Sequence, residues 1–527
     1  MMNKAIILLF IFINIVFVYT TTPSFQIDNQ ATVTLIKQYN QSQLYEISSF
    51  GYAQPIYVAN LTGTSYEMGY AYGYFFAEAI VESYHSLLDN VLPNQEAQDV
   101  LELFLDWQFK DFLSKQLPQQ YFDELRGLSD GANEAGMPDV SVLAIRTMTI
   151  ANFPGDIQSN IEYLLENEAE SLVSYLFTEE YKNIIESGKF VRVLEQLALS
   201  GFKGWQCSHF SVWGDRTVNG DMFNGRNLDW FPGTGISQHK VLAVYHPTTG
   251  GSAFLNVGFA GLLGSITGIS ANGIFVAESD SDTRPVTFDG FAWTLRLRYV
   301  MQYASTIEEA LNIWRTTNNT FGMNHMLSSA FEANTVQHPA YALETMKGYT
   351  AYFPDNDPSE VYYYKDTGVQ MGYPIPQAVY RTNHGYDQRI RQEQTFVPAP
   401  GDDTMVRYFL FHDNFEYFGQ QNAIGDLAAV NITSILGDKN NTDFYDCSEA
   451  YNGANVVSAT FHSQTSTMYI AYEEGSGAQR KCACCGVYVK IDLAQWFGSS
   501  IPSTATRFSS SPSVNINHNR NTKNSHN

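Results

Sequence analysis

The chain has 527 residues, 44% of them hydrophobic and 14% aromatic, which suits a large buried core and not a disordered chain. Lys and Arg number 30 against 54 Asp and Glu, a net charge of −24. That field repels phosphate backbones, so no nucleic-acid partner is expected.

Residues 1–21 read as a removed signal peptide. Lys4 supplies a short positive region, residues 5–19 are apolar except for Asn14, and small polar residues follow from Thr20 to Thr22. The apolar run is shorter than the ~20 residues that a membrane-spanning helix needs. No second long apolar run follows, so the mature chain is expected to lack a transmembrane anchor and to reside outside the cell or in the lysosomal or endosomal lumen. The sequons at Asn40, Asn60, Asn318, Asn431 and Asn440 agree with a glycosylated lumenal protein.

Residues 57–82 read as a short strand, a Gly-containing turn and a helix. Gly69 and Gly73 lie four apart, a spacing that lets a helix approach a neighbour closely. A second helix is expected over 95–115, and a helix, a Gly-Met-Pro turn and another helix over 121–148. With the acidic helix-like stretch 161–199, the chain from 66 to 199 is mainly helical. The texture changes at Trp205. Segments 208–214, 221–230, 239–247, 252–261 and 273–280 read as strands, with Gly250-Gly251 and Asn272-Gly273 as hairpin signals. Helix returns over 292–314, with Thr306 as an N-cap. Strands resume over 340–352, at a hairpin around 464–466 and at 487–493. The Ser- and Asn-rich tail 499–527 is expected to be disordered. Strands and packed helices together imply an α+β fold. The sequence holds no P-loop, no H-E-x-x-H and no G-x-S-x-G.

Five cysteines are present, an odd number, which leaves at least one thiol outside intrachain disulfides in an oxidising compartment. Cys447, Cys482, Cys484 and Cys485 cluster late in the chain and are candidates for two disulfides. Cys207 stands alone and is expected to stay a thiol. A metal site at Cys482, Cys484 and Cys485 is the rival, but C-x-C-C lacks the separated second pair of a zinc ribbon, and no metal or other cofactor is expected.

Residues 205–230, WQCSHFSVWGDRTVNGDMFNGRNLDW, carry the chemistry. Cys207 begins a strand, residues 218–221 turn, and a second strand ends in Gly225-Arg226-Asn227-Leu228-Asp229. The hairpin brings Arg226 and Asp229 back toward Cys207. A free thiol has a pKa of ~8.5 and is mostly protonated at neutral pH; a guanidinium favours the thiolate. An N-terminal amine, at ~7.7–8.0, is close enough to exchange a proton with it. An Asp can orient that amine. These types therefore make a nucleophile site only if the Gln206–Cys207 bond is cut.

Cys207 followed by GRNLD resembles the cysteine branch of the N-terminal-nucleophile (Ntn) hydrolases. That group includes bile-salt (choloylglycine) hydrolases, penicillin V acylases, acid ceramidases, N-acylethanolamine amidases and penicillin acyltransferase-like proteins. LTGTSYEMGYAYG and ELRGLSDGANEAGM resemble earlier stretches of the acyltransferase-like and acid-ceramidase-like members. The resemblance implies autocatalytic exposure of Cys207, with Arg226 and Asp229 as its partners. Thr382-Asn383-His384 resembles the element whose Asn helps form the oxyanion hole, and Arg407 matches a later Arg near the substrate. It also implies a four-layer αββα sandwich with a mainly helical N-terminal segment. On this reading residues 22–206 form a helical first chain that stays associated with the catalytic chain, 207–498.

One departure stands out. Where bile-salt and penicillin V members place another Asn, residues 273–280 offer Glu278, Ser279 and Asp280, and a carboxylate stabilises an oxyanion only when protonated. Glu278 and Asp280 read as surface acids, and His209 and His384 as ordinary polar positions. The function expected is hydrolysis of a linear N-acyl amide, a small molecule or a lipid such as a ceramide. The alternatives are a phospholipase B-like ester hydrolase, an acyltransferase, or a non-catalytic binding protein on the same fold. A Cys207–His384 protease is a further rival that lacks papain-like sequence around Cys207.

Overall fold

The computed structural model describes residues 25–92, 94–138, 140–151, 206–230, 235–287, 289–435, 454–476 and 479–498. The expected signal peptide, the acidic stretch 161–199, Asn440, Cys447 and the tail 499–527 lie outside them.

The N-terminal part begins with strands β1 (Gln26–Asp28), β2 (Thr32–Tyr39), β3 (Ser42–Ser48) and β4 (Ile56–Gly63). Four helices follow: α1 (Ser65–Val91), α2 (Gln95–Gln108), α3 (Gln119–Glu134) and α4 (Val140–Ala151). Thr64 starts α1 through a capping box. Its hydroxyl accepts from the Glu67 N–H, and the Glu67 carboxylate accepts from the Thr64 N–H. α2 ends earlier than the pattern suggests and widens into a π-helical turn, Phe109–Leu113.

The glycines decide how α1 meets α3. A Cβ on Gly69 would lie 2.1 Å from the Glu124 carbonyl oxygen, and one on Gly73 2.2 Å from that of Leu128. Reciprocally, a Cβ on Gly127 or Gly131 would lie 2.0 Å from the carbonyl oxygens of Tyr66 and Tyr70. The two backbones are in contact along this seam, as the spacing of Gly69 and Gly73 suggested.

Two sheets form the centre. The first is seven-stranded, in the order β1-β17-β16-β15-β6-β5-β14, and the second ten-stranded, β13-β12-β11-β10-β9-β8-β7-β4-β3-β2. Here β5 is Gln206–Val212, β6 Phe223–Asp229, β7 Lys240–Pro247, β8 Phe254–Phe259, β9 Thr267–Ser270 and β10 Ile274–Asp280. Next come β11 (Met323–Ser329), β12 (Ala340–Met346), β13 (Tyr349–Pro354) and β14 (Ala378–Arg381), then β15 (Asn455–His462), β16 (Thr467–Tyr472) and β17 (Val487–Asp492). Only β1–β17 and β4–β7 pair in parallel among these. The sheets touch through β5 and β10 and through the ring contacts Phe275–Phe461 and Phe259–Tyr472.

Helices α5 (Trp293–Tyr303) and α6 (Ile307–Arg315) interrupt the strands. The stretch 292–314 is thus two helices, because Thr306 caps α6 by accepting from the Glu309 N–H. α5 packs on β8, β9 and β10. Later, α7 (Asp403–Gly419) packs against β14, and α8 (Asp426–Ile435) against β6 and β15. Every residue of β6, β10 and β15 is buried, as expected of strands covered on both faces. No helix among the described residues is long and apolar enough to cross a membrane.

His462, at the end of β15, ties α8 to the turn before β6. Its Nδ1 lies 2.8 Å from Asp426 Oδ1 and its Nε2 3.1 Å from Asp221 Oδ2. Both nitrogens meet carboxylates, which suits the imidazolium. Burial alone lowers the His462 pKa, but the hydrogen bonds to Asp426 and Asp221 prevail and raise it above the usual value.

This packing can be tested at two positions. Gly69→Ala should cost about 1–3 kcal/mol by overpacking the α1–α3 seam, read as a lower urea midpoint with unchanged slope. A raised His462 pKa gives stability that is complete below ~6.5 and lost as pH rises through the folded-state value. The melting temperature should therefore fall as pH rises above ~6.5, and the fall should shrink in His462→Gln.

Candidate active site

The β5–β6 hairpin forms as the sequence suggested, with Asn219 and Gly220 in the left-handed region (φ 62° and 73°) at its turn. Cys207 opposes Leu228, His209 opposes Arg226, and Gln206 opposes Asp229. Opposed residues share a face and faces alternate along a strand, so Arg226 projects beside Cys207. Arg226 Nη2 donates to Cys207 Sγ at 3.4 Å.

The third member comes from the other sheet. Glu278 Oε1 lies 3.9 Å from Cys207 Sγ and accepts a hydrogen bond from Arg226 Nη2. Cys207, Arg226 and Glu278 are all 0% exposed. The reading of Glu278 and Asp280 as surface acids is therefore corrected: both are buried. An isolated carboxylate cannot sit in an apolar strand, and the guanidinium of Arg226 is what allows Glu278 to do so. An acid within the apolar run GIFVAESD was the available signal.

Burial pushes the Cys207 thiol well above its ordinary pKa; Arg226 pulls it down, and the charges of Glu278 and Asp229 push it up again. Burial likewise pushes the Glu278 carboxyl up to about 7 against the pull of Arg226. Near neutral pH Glu278 can therefore both take and give a proton beside the sulfur. Arg226 Nε and Nη1 and Glu278 Oε2 have no hydrogen-bond partner among the described residues. A water would satisfy any of the three, and a substrate carbonyl oxygen would accept from the Arg226 nitrogens.

Asn383 meets Cys207 from the loop after β14. Its Oδ1 accepts from the Cys207 backbone N–H at 2.9 Å and from Arg407 Nη2 at 2.9 Å, and its Nδ2 donates to the Asp280 carbonyl at 2.9 Å. In the continuous chain its amide is thus already engaged. Arg407, on α7, donates to the Cys207 carbonyl oxygen at 2.6 Å and pairs with Asp403. Buried groups fix this loop. Asn324 Nδ2 donates to the carbonyls of Thr382 and His384. Arg381 pairs with Glu344 and Glu360, and Glu344 accepts from the N–H groups of Tyr386 and Asp387.

The two histidines are buried, which corrects their reading as ordinary polar positions. His384 bonds Thr404 and Tyr386 through its ring nitrogens, so it offers Cys207 no base. His209 bonds Ser279 at 3.2 Å, and burial, Arg226 and Arg381 hold it neutral. Asp229 is buried and accepts from Asn455 Nδ2 at 2.6 Å; its backbone also hydrogen-bonds Cys207.

Other expected sites are scattered. Asn40 and Asn318 are exposed. Asn60 lies within β4, where its Oδ1 meets His246 at 2.8 Å, and Asn431 lies on α8. Cys485 is disulfide-bonded. Cys482 and Cys484, expected in disulfides, are thiols with sulfurs 3.3 Å apart. The three sulfurs cluster, but a disulfide-bonded Cys485 gives no thiolate for a metal.

Arg226→Met should leave Glu278 buried and unpaired, costing about 3–5 kcal/mol. Arg226→Met combined with Glu278→Leu should recover most of that loss. Urea unfolding of the four proteins of this cycle checks the coupling across the sheets.

No protein-family model matches the chain. By sequence it is 24% identical over 263 residues to an uncharacterized protein of Archaeoglobus fulgidus, covering 49% of this chain and 38% of the relative. It is 23% identical over 327 residues to protein dcd1B of Dictyostelium discoideum, covering 57% and 52%, and 24% identical over 355 residues to protein dcd1A of the same organism, covering 62% and 66%. The matches thus span from about two fifths to two thirds of these relatives' lengths. Among solved structures, it resembles the Caenorhabditis elegans ortholog of N-acylethanolamine-hydrolyzing acid amidase at 12% identity, covering 49% of this chain and 93% of that one, TM-score 0.33. A mutant of conjugated bile acid hydrolase from Clostridium perfringens aligns at 13% identity over 55% and 93% of the chains, TM-score 0.33. Penicillin V acylase from Agrobacterium tumefaciens aligns at 12% over 50% and 83%, TM-score 0.29.

Proposed function

We propose that Cys207 cuts the Gln206–Cys207 bond and then, as a new N-terminus, hydrolyses a linear N-acyl amide. The observation that carries this is the meeting of Cys207 Sγ with Arg226 and Glu278 while the Cys207 N–H is held by Asn383. Helices packed on two facing sheets support the four-layer αββα reading of the fold.

In the precursor, the Glu278 carboxylate takes the thiol proton and Arg226 steadies the thiolate. The sulfur attacks the Gln206 carbonyl carbon, the C–N bond breaks, and the departing Cys207 nitrogen takes a proton. Water hydrolyses the thioester and releases the Gln206 carboxylate. The Cys207 thiol is 0% exposed in the continuous chain, so a substrate needs an opening at this site to reach the sulfur. The proposal is completed by two chains that stay associated after the cut and by a secreted or lysosomal location.

In the processed enzyme the free amine takes and returns the thiol proton, with Asn383 Oδ1 and Asp229 to orient it. The oxyanion needs donors already in place. Arg226 N–H groups and protonated Glu278 stand beside the sulfur; Asn383 Nδ2 joins them by releasing the Asp280 carbonyl. Arg407 holds the Cys207 backbone and Asn383. The substrate class is an N-acyl amide, lipid amides included.

N-terminal sequencing should find a second chain beginning at Cys207, and Cys207→Ala should remain one chain; normal cleavage in that mutant refutes self-processing. Processed protein should hydrolyse members of a panel of N-acyl amides faster than the matching esters. Arg226→Gln and Asp229→Asn should each lower turnover about 100-fold, or about 2.7 kcal/mol of barrier.

A further inference from the structure

The candidate nucleophile strand has a support that lies two strands and one turn away. Asn455 opens β15 and is 0% exposed. Its Nδ2 donates to Asp229 Oδ1 at 2.6 Å, and its Oδ1 accepts from the Cys484 backbone N–H at 2.7 Å. The other oxygens near Nδ2, those of Asn227, Leu228 and Val457, are 3.3–3.4 Å away.

We propose that Asn455 is a positioning residue for the Cys207 site, clamped by the backbone of the turn at 482–485 so that its amide holds Asp229; this rests on the reading of Cys207 as the nucleophile.

The hydrogen-bond directions carry the inference. A backbone N–H can only donate, so the Cys484 N–H fixes which end of the Asn455 amide is oxygen. The end facing Asp229 is therefore a donor. A donor at this distance favours the carboxylate form of Asp229 and fixes its orientation. The strand geometry agrees: pairing of β15 with β6 shifts register between Asn455 and Val457, and bulges of this kind re-aim a side chain. The clamp is itself held. Cys482 and Cys484 are buried, Cys485 is disulfide-bonded, and Arg480 donates to the Asn455 carbonyl while pairing with Glu473. Asn455 touches neither Cys207 nor the space beside its sulfur. It acts through Asp229, whose charge and backbone both act on the thiol.

The isosteric variant Asn455→Asp separates positioning from packing. At acid pH its carboxyl is protonated and still donates to Asp229. As pH rises the proton leaves and two carboxylates face each other. The expected result is near-normal kcat at acid pH and a kcat about 10-fold or more below wild type at neutral pH, with KM little changed. Cleavage at Cys207 should slow with the same pH dependence. A variant-to-wild-type kcat ratio near one at every pH, in folded protein, overturns the proposal; so does a uniform loss independent of pH, which marks a packing role. If thermal melting shows this variant unfolded, Asn455→Ser is assayed instead. Its shorter hydroxyl should lower kcat at unchanged KM, and a wild-type kcat overturns the proposal. Wild-type activity that survives Cys207→Ala would instead sink the nucleophile reading.

Discussion

A guanidinium and a carboxylate, neither touched by solvent, hold the two sheets together beside a thiol. Arg226 belongs to the seven-stranded sheet and Glu278 to the ten-stranded one. Each is tolerable inside the protein only because the other is there. A slip of one residue in β6 or β10 would turn one member of the pair away from the other. The register of β6 against β10 and the electrostatics around Cys207 are therefore tied to one interaction, while ring contacts such as Phe275–Phe461 and Phe259–Tyr472 share in packing the sheets.

The same solution recurs where the chain must be held without water. Arg381 with Glu344 and Glu360 braces the loop that presents Asn383, and Arg298 with Glu124 joins α5 to α3. In each case the carboxylate also reaches beyond its Arg partner or the Arg reaches a backbone carbonyl, as Arg298 does at Leu263. Buried charge thus fixes orientation as well as proximity. Around Cys207 this produces a site whose backbone is held from two sides, by Asn383 at the nitrogen and Arg407 at the oxygen. Of these two contacts, the one from Asn383 is made to the peptide at which cleavage is proposed, at its N–H.

The strands from Gln206 to Phe259, β10 and the helices before Ala151 were legible because their patterns are local, whereas β1, β9, β11, β14, α7 and α8 were not read from the sequence. Thr306 announced its cap, Gly69 and Gly73 their close seam, and the segment from Cys207 to Asp229 its hairpin. The edge strand β2 and its neighbour β3 escaped notice: β2 is almost wholly exposed, with Val33, Leu35 and Ile36 facing solvent, so no buried face stamped a period on it. Glu278 was misread because acids are usually solvated, and its exemption depends on an arginine 52 residues away. Asn455 gave no signal at all. Its partners, Asp229 and Cys484, are distant in sequence, and a bulge sets its direction.

What the sequence determined by itself was the nucleophile candidate, the returning strand that carries Arg226 and Asp229, and an α+β chain with a helical stretch ahead of the Cys207 hairpin. Those follow from neighbours in sequence: strand alternation and turn chemistry return Arg226 to the face of Cys207, while Asp229, three residues on, takes the opposite face and reaches Cys207 through its backbone. The tertiary structure alone decided that Glu278 completes the group, that Asn383 and Arg407 grip the Cys207 backbone, and that Cys482 and Cys484 remain thiols. The reason is physical: the state of a buried charge or sulfur is set by whatever packs against it, and at Cys207 those neighbours come from another sheet, a loop and a helix remote along the chain.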